Sequence, residues 1–162
     1  MADASSQIYN CYFLMSKLLE KITVDNGYHN TIASTNILYQ QPPLVTKRNP
    51  PILYIYHDRV DITGGTSGYY DADINYSLIA ETGVKTGEND LLTEILKLES
   101  DILTVFESDL YFVTVSTEQS INISLDHHVI YSINTEGGLA YPKALLEFQG
   151  IMSLKRVQLS SL

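Results

Sequence analysis

The chain has 162 residues, with 19 acidic against 10 basic side chains, a formal charge of −9 and one cysteine. That length fits a single domain whose folding buries roughly two-thirds of the chain's surface, so neither a disulfide nor a structural metal is needed for stability. The acidic balance argues against a surface that grips nucleic acid. Lone Cys11 excludes an internal disulfide and a zinc framework, and no apolar run is long enough to span a bilayer.

The opening MADASSQ has no basic region followed by an apolar core, so it does not read as a signal peptide. The expectation is a protein that works, or is assembled, inside a cell. The first element is a helix. Ile8, Tyr12, Met15, Leu19 and Ile22 form its apolar stripe, flanked by Cys11 and Leu18, with Ser5 or Ser6 as cap and Gly27 beyond its end. A cysteine beside such a stripe reads as a small buried hydrophobe rather than a nucleophile, since nothing basic flanks it.

Residues 30–39 read as a strand. The following 40–51 holds Pro42, Pro43, Pro50 and Pro51, which exclude helix and predict an exposed, extended arm with Lys47 and Arg48 near its middle. ILYIYHD at 52–58 is apolar on both faces, as a strand inside a sheet would be. Residues 61–68 predict a second, glycine-rich arm. Its Gly64, Gly65 and Gly68 lack the Lys-Ser or Lys-Thr and the helix of a phosphate loop. Both arms are poor at packing on their own domain, and the expectation is that they are mobile until a neighbour orders them.

The clearest strand is 69–81. Tyr70, Ala72, Ile74, Tyr76, Leu78 and Ala80 share one face, and Asp71, Asp73, Asn75, Ser77 and Glu81 the other, with Ile79 the exception. A period of two with one wet face means a half-buried antiparallel strand. After a polar link comes the clearest helix, 89–107. Its stripe is Leu91, Ile95, Leu98, Ile102 and Val105, widened by Leu92 and Phe106, and Asn89 or Asp90 caps its start. Strands are predicted at 109–116, 128–134 and 144–156, with a polar link at 117–127 that holds a short edge strand at 121–124. Thr135 to Gly138 reads as a turn, and Gly150 marks a bulge or a close approach. The element order is α-β-β-β-α-β-β-β, an α+β layer with two principal helices on a mainly antiparallel sheet.

Chemical constellations are weak. Asp126-His127-His128 is the best metal candidate, but neighbouring strand residues point to opposite faces and no third ligand accompanies them. His57-Asp58 has no partnered nucleophile, and GxSxG is absent. Asp71 and Asp73 lie about 7 Å apart on one strand face, an arrangement that a solvated surface explains better than glycosidase carboxylates do. The expectation is a protein without catalytic residues, metal or cofactor.

The stretch SINTEGGLAYPKALLEFQGIMSLKR resembles the tail terminators of long-tailed, siphophage-type bacteriophages. Ser132, Thr135, Glu136, Gly138, Leu139, Pro142, Leu145 and Glu147 carry the resemblance, and the element order over nearly the whole chain agrees with it. It implies a virion protein that forms a hexameric ring, ends polymerisation of the tail tube and joins the tail to the head connector, while DNA passes through the centre. The implied partners are further copies of itself, the tube protein and a head-completion protein, with no membrane and no specific DNA binding. The residues expected at subunit or partner contacts are Lys47, Arg48, Gly64, Gly65, Thr135, Glu136, Gly137, Gly138 and Pro142. Six copies at −9 each would bring −54 to the ring. Like-charged walls let DNA slide, so Asp71, Asp73, Glu88 and Asp90 are expected to face the passage, with Lys47, Arg48, Lys155 and Arg156 off it. Another neck or tail component, or a small-molecule enzyme or binding module on the same scaffold, is the competing reading.

Overall fold

The computed structural model describes residues 6–43, 48–65, 68–83, 90–108, 112–114, 120–134, 143–158, 160 and 162. Helix α1 (Gln7–Leu19) starts at Ser6, whose side chain accepts from the Tyr9 N–H at 3.0 Å. Of the two serines proposed as caps, Ser6 does the work. It satisfies one of the amides that a helix start leaves open. Cys11, Met15, Leu18, Leu19 and Ile22 are fully buried.

The segment expected to be a strand at 30–39 is strand only at β1 (Ile37–Leu38), after single 3-10 turns at Val24–Asn26 and Ser34–Asn36. Its backbone donors go elsewhere. The His29 and Asn30 N–H groups bond the Asp101 carboxylate at 2.9 and 2.8 Å, and the Ile32 N–H bonds the Ile22 carbonyl. A backbone satisfied by a helix side chain has no ladder left to form.

Strand β2 (Ile52–Thr63) and strand β3 (Tyr70–Gly83) form a long antiparallel hairpin with a bulge between His57 and Arg59. Asp61 pairs with Asp73, Ile62 with Ala72 and Thr63 with Asp71. The first three residues of the expected 61–68 arm are therefore sheet, because the hairpin keeps its register almost to the turn. Helix α2 (Leu91–Ser108) follows, then β4 (Phe112–Thr114), β5 (Ser120–Asn134) and β6 (Lys143–Val157). The polar 117–127 link and the 128–134 strand are, from Ser120 onward, one strand. Register shifts at Leu125/His127 and Ile130/Ser132 break its period of two, which disguised it.

The sheet order is β1-β2-β3-β6-β5-β4. Only β1–β2 is parallel; the other neighbours are antiparallel, so the fold is α+β with a mixed sheet. β3 pairs along its length with β2 on one side and β6 on the other. Both helices cover one face. There Ala72, Ile74, Tyr76 and Leu78 meet the α1 residues and Ile95, Leu98, Ile102 and Val105 of α2. Leu92, expected to widen that stripe, is instead exposed.

The opposite face of β3 is wet only at its start. Ser77, Ile79 and Glu81 are buried, and Ile52, Tyr54 and Ile79 form a second, small apolar cluster with Tyr56 and Leu145. This corrects the half-buried reading of 69–81. The double-sided apolar pattern of 52–55 told the truth for its neighbour as well.

Gly150 is a close approach. A Cβ there would sit 2.0 Å from the Ser124 carbonyl oxygen and 2.8 Å from the Tyr76 hydroxyl, which itself donates to that carbonyl at 2.8 Å.

Candidate functional site

The candidate acids sit on the open face of the hairpin. The pleat puts Asp71 and Asp73 opposite Ala72 and Ile74, and the antiparallel register brings Asp61 directly across from Asp73. Three carboxylates thus crowd one patch, and each is held by donors. Asp61 accepts from Arg59 Nε at 3.0 Å and Asn75 Nδ2 at 3.2 Å. Asp73 accepts from Ser153 Oγ at 2.8 Å. Asp71 accepts from the Arg156 N–H at 3.1 Å, and its other oxygen is 3.6 Å from Lys155 Nζ.

That last pair sets Asp71, expected to face the passage, against two bases expected off it. Because β6 is the hydrogen-bonded neighbour of β3, Lys155 and Arg156 lie beside Asp71 rather than away from it. Arg156 also places its guanidinium 5.6 Å from the Tyr69 ring centre. Gly64, Gly65, Tyr69, Asp71 and Arg156 line a surface hollow of about 330 Å³. Gly65 has no room for a side chain, since a Cβ would lie 1.7 Å from the Tyr69 carbonyl oxygen. Gly65, expected at a contact, therefore shapes the hairpin's end, whereas a Cβ at Gly64 would meet nothing within 4 Å.

Asp90 has a local role. Its carboxylate accepts from the Thr93 N–H at 2.8 Å and from Thr93 Oγ1 at 2.9 Å, which caps α2 and holds its pKa below the usual carboxylate value. Arg48 donates to the Thr35 carbonyl at 2.8 Å, and Asn36 Nδ2 bonds the carbonyls of Asn49 and Pro51. The described end of the proline arm is thus tied to its own domain, contrary to the expectation of an arm poor at packing on it. Lys47, Glu88, Thr135, Glu136, Gly137, Gly138 and Pro142 lie outside the described residues.

Among the described residues, groups with shifted acidity do not converge on one point. Burial pushes the Cys11 thiol up to about 12, which leaves it inert. Burial also pushes Tyr12 up to about 12; its hydroxyl hydrogen-bonds His57 Nδ1. Glu81 is raised by burial, against the pull of Lys143 Nζ at 3.4 Å, and its Oε2 has no hydrogen-bond partner. His128 Nε2 meets Glu99 Oε1 at 3.1 Å, and its ring stacks on Phe148. Among the described residues no group of three or more His, Cys, Asp or Glu could hold a metal ion, and no helix is long and apolar enough to cross a membrane.

Two surfaces escaped the sequence reading. On α1, Tyr9 and Phe13 are 50% and 47% exposed, and Tyr9 packs edge-on against Tyr39 at 6.2 Å. On α2, Leu92 and Leu96 are 54% and 46% exposed. Each pair is an i,i+4 step outside its helix's core stripe, and that spacing was the available signal. No protein-family model matches the chain, and no curated protein matches it either.

Proposed function

We propose that this chain is a structural ring protein of the tail-terminator kind. It caps the growing tail tube, joins it to the head connector and lets DNA pass through the ring. The reading rests on the resemblance in the 132–156 stretch. The observation that carries it furthest is the element order, a helix and three strands followed by a helix and three strands in a single sheet. The acids of the hairpin support a passage wall: Asp61, Asp71 and Asp73 gather on the face that the helices leave open. Lys155 beside Asp71 and Arg59 on Asp61 temper that charge, which makes Asp73, held by the neutral Ser153 hydroxyl, the better part of such a wall.

The test is assembly in the virus that encodes the chain. Particles made without it should carry tail tubes of irregular, excessive length that lack heads, seen by negative-stain electron microscopy. Purified chain added to polymerising tube protein should stop growth. Normal tails without the chain overturn the proposal.

A further inference from the structure

We propose that neighbouring copies of this chain meet helix to helix, with the outer side of α1 on one copy packed against the outer side of α2 on the next. The inference rests on the ring-forming part of the reading above and names the surfaces that would close the ring.

Both surfaces are apolar and exposed, yet they are not the same surface. The α1 side carries Tyr9 and Phe13, walled by Tyr39; Tyr12 beside them reaches His57 of β2. The α2 side carries Leu92 and Leu96, and the same stripe continues through Glu99, which meets His128 of β5, to Leu103. Leu103 and Phe106, with Ile123 and Leu125, line an apolar cavity of about 330 Å³ at the far end of that stripe. One surface thus adjoins the β1–β2 side of the sheet and the other the β5 side. A contact between unlike surfaces is head-to-tail and generates a ring or a filament rather than a closed pair.

Charge favours the same match. α1 and the two residues after it carry Lys17 and Lys21 against Glu20, net +1. α2 with its cap carries Asp90, Glu94, Glu99 and Glu107 against Lys97, net −3, with Asp101 left out because it is buried. The order along each helix also agrees. From Tyr9 the ladder runs through Phe13 to Lys17, about 12 Å along the axis; from Leu92 it runs through Leu96 to Glu99, about 10.5 Å. Parallel packing sets aromatic on leucine twice and then Lys17 beside Glu99. Lys17 now lies over the Phe13 ring of its own helix and 3.3 Å from Glu20 just past the helix end, so it needs only a rotamer change to reach a neighbour.

Sedimentation of the purified chain at about 100 µM, a range that detects weak self-association, tests the contact. Wild type should form oligomers larger than a dimer. Tyr9→Ser with Phe13→Ser, and separately Leu92→Ser with Leu96→Ser, should each weaken assembly at least tenfold, because large exposed side chains at the centre of a contact dominate it. All four positions are about half exposed, so unchanged circular dichroism checks that the variants fold. An equimolar mixture of the two double variants should form a dimer and stop, since each retains one good surface. Lys17→Glu should weaken wild-type assembly, and adding Glu99→Lys should restore it. A wild type that stays monomeric, variants that assemble like wild type, or a mixture that forms no dimer each overturns the contact. If wild type assembles through these surfaces but does not stop tubes, the capping reading fails and the contact stands.

Discussion

Replacing Asp101 with Ala should destabilise the protein by about 2–4 kcal/mol, a range set by the number and kind of bonds it makes. Its side chain is 2% exposed and sits on α2, away from the core stripe. It accepts from the His29 N–H at 2.9 Å, the Asn30 N–H at 2.8 Å and Asn30 Nδ2 at 2.8 Å. Bonds to a charged acceptor each contribute roughly 1.5–3 kcal/mol net. The full sum overstates the loss, because His29 is exposed and its freed donor can find water. Asn30 is only half-buried, so its two donors recover part of their bonds too. Urea unfolding should show the midpoint falling with an unchanged slope. Thermal unfolding should shift down by roughly 4–16 °C, at about 2–4 °C per kcal/mol for a chain of this size. Native-state hydrogen exchange adds a local readout: the His29 and Asn30 amides should lose protection first. Asp101→Asn should fall between wild type and Ala, since its amide keeps one acceptor but turns an NH₂ toward a donor. An Ala variant within about 0.5 kcal/mol of wild type, the scatter of ordinary surface changes, would refute the reasoning. So would undiminished protection at residues 29 and 30.

Gly150→Ala should cost roughly 2–3 kcal/mol, as overpacking does, because its Cβ would lie 2.0 Å from the Ser124 carbonyl oxygen. Adding Tyr76→Phe removes the hydroxyl but not that carbonyl, so rescue of stability by Phe would show the clash to be placed wrongly. Glu81 makes a prediction about pH. Its folded pKa is raised by burial, so the folded state holds its proton more tightly than the unfolded chain does. Its contribution is therefore fully present below the ordinary carboxylate range and is lost as pH rises through the raised value. Unfolding free energies of wild type and Glu81→Gln across pH 4 to 8 should differ increasingly in favour of Gln as pH rises. A flat difference would mean that the Lys143 pair cancels the burial.

The sequence by itself determined the elements with a clean period. The α1 stripe, the α2 stripe and the alternation from Tyr70 to Ala80 each repeat a spacing that only one backbone geometry turns into a single apolar face. Their order along the chain followed from that alone, and so did the Ser6 and Asp90 caps within a residue. Tertiary structure decided the rest wherever a distant group overruled a local pattern. Residues 29 and 30 gave their amides to Asp101, some seventy positions away, and the expected strand shrank to Ile37–Leu38. The bulges of β5 hid a long strand inside what looked like a polar link. Glu81 and Ser77 became buried because strand pairing stacked the second apolar cluster beside them, which no alternation of polar residues could signal. The placement of Lys155 against Asp71 came from β6 lying next to β3. Sheet order is a property of long-range pairing, and a single chain's local periods do not encode it.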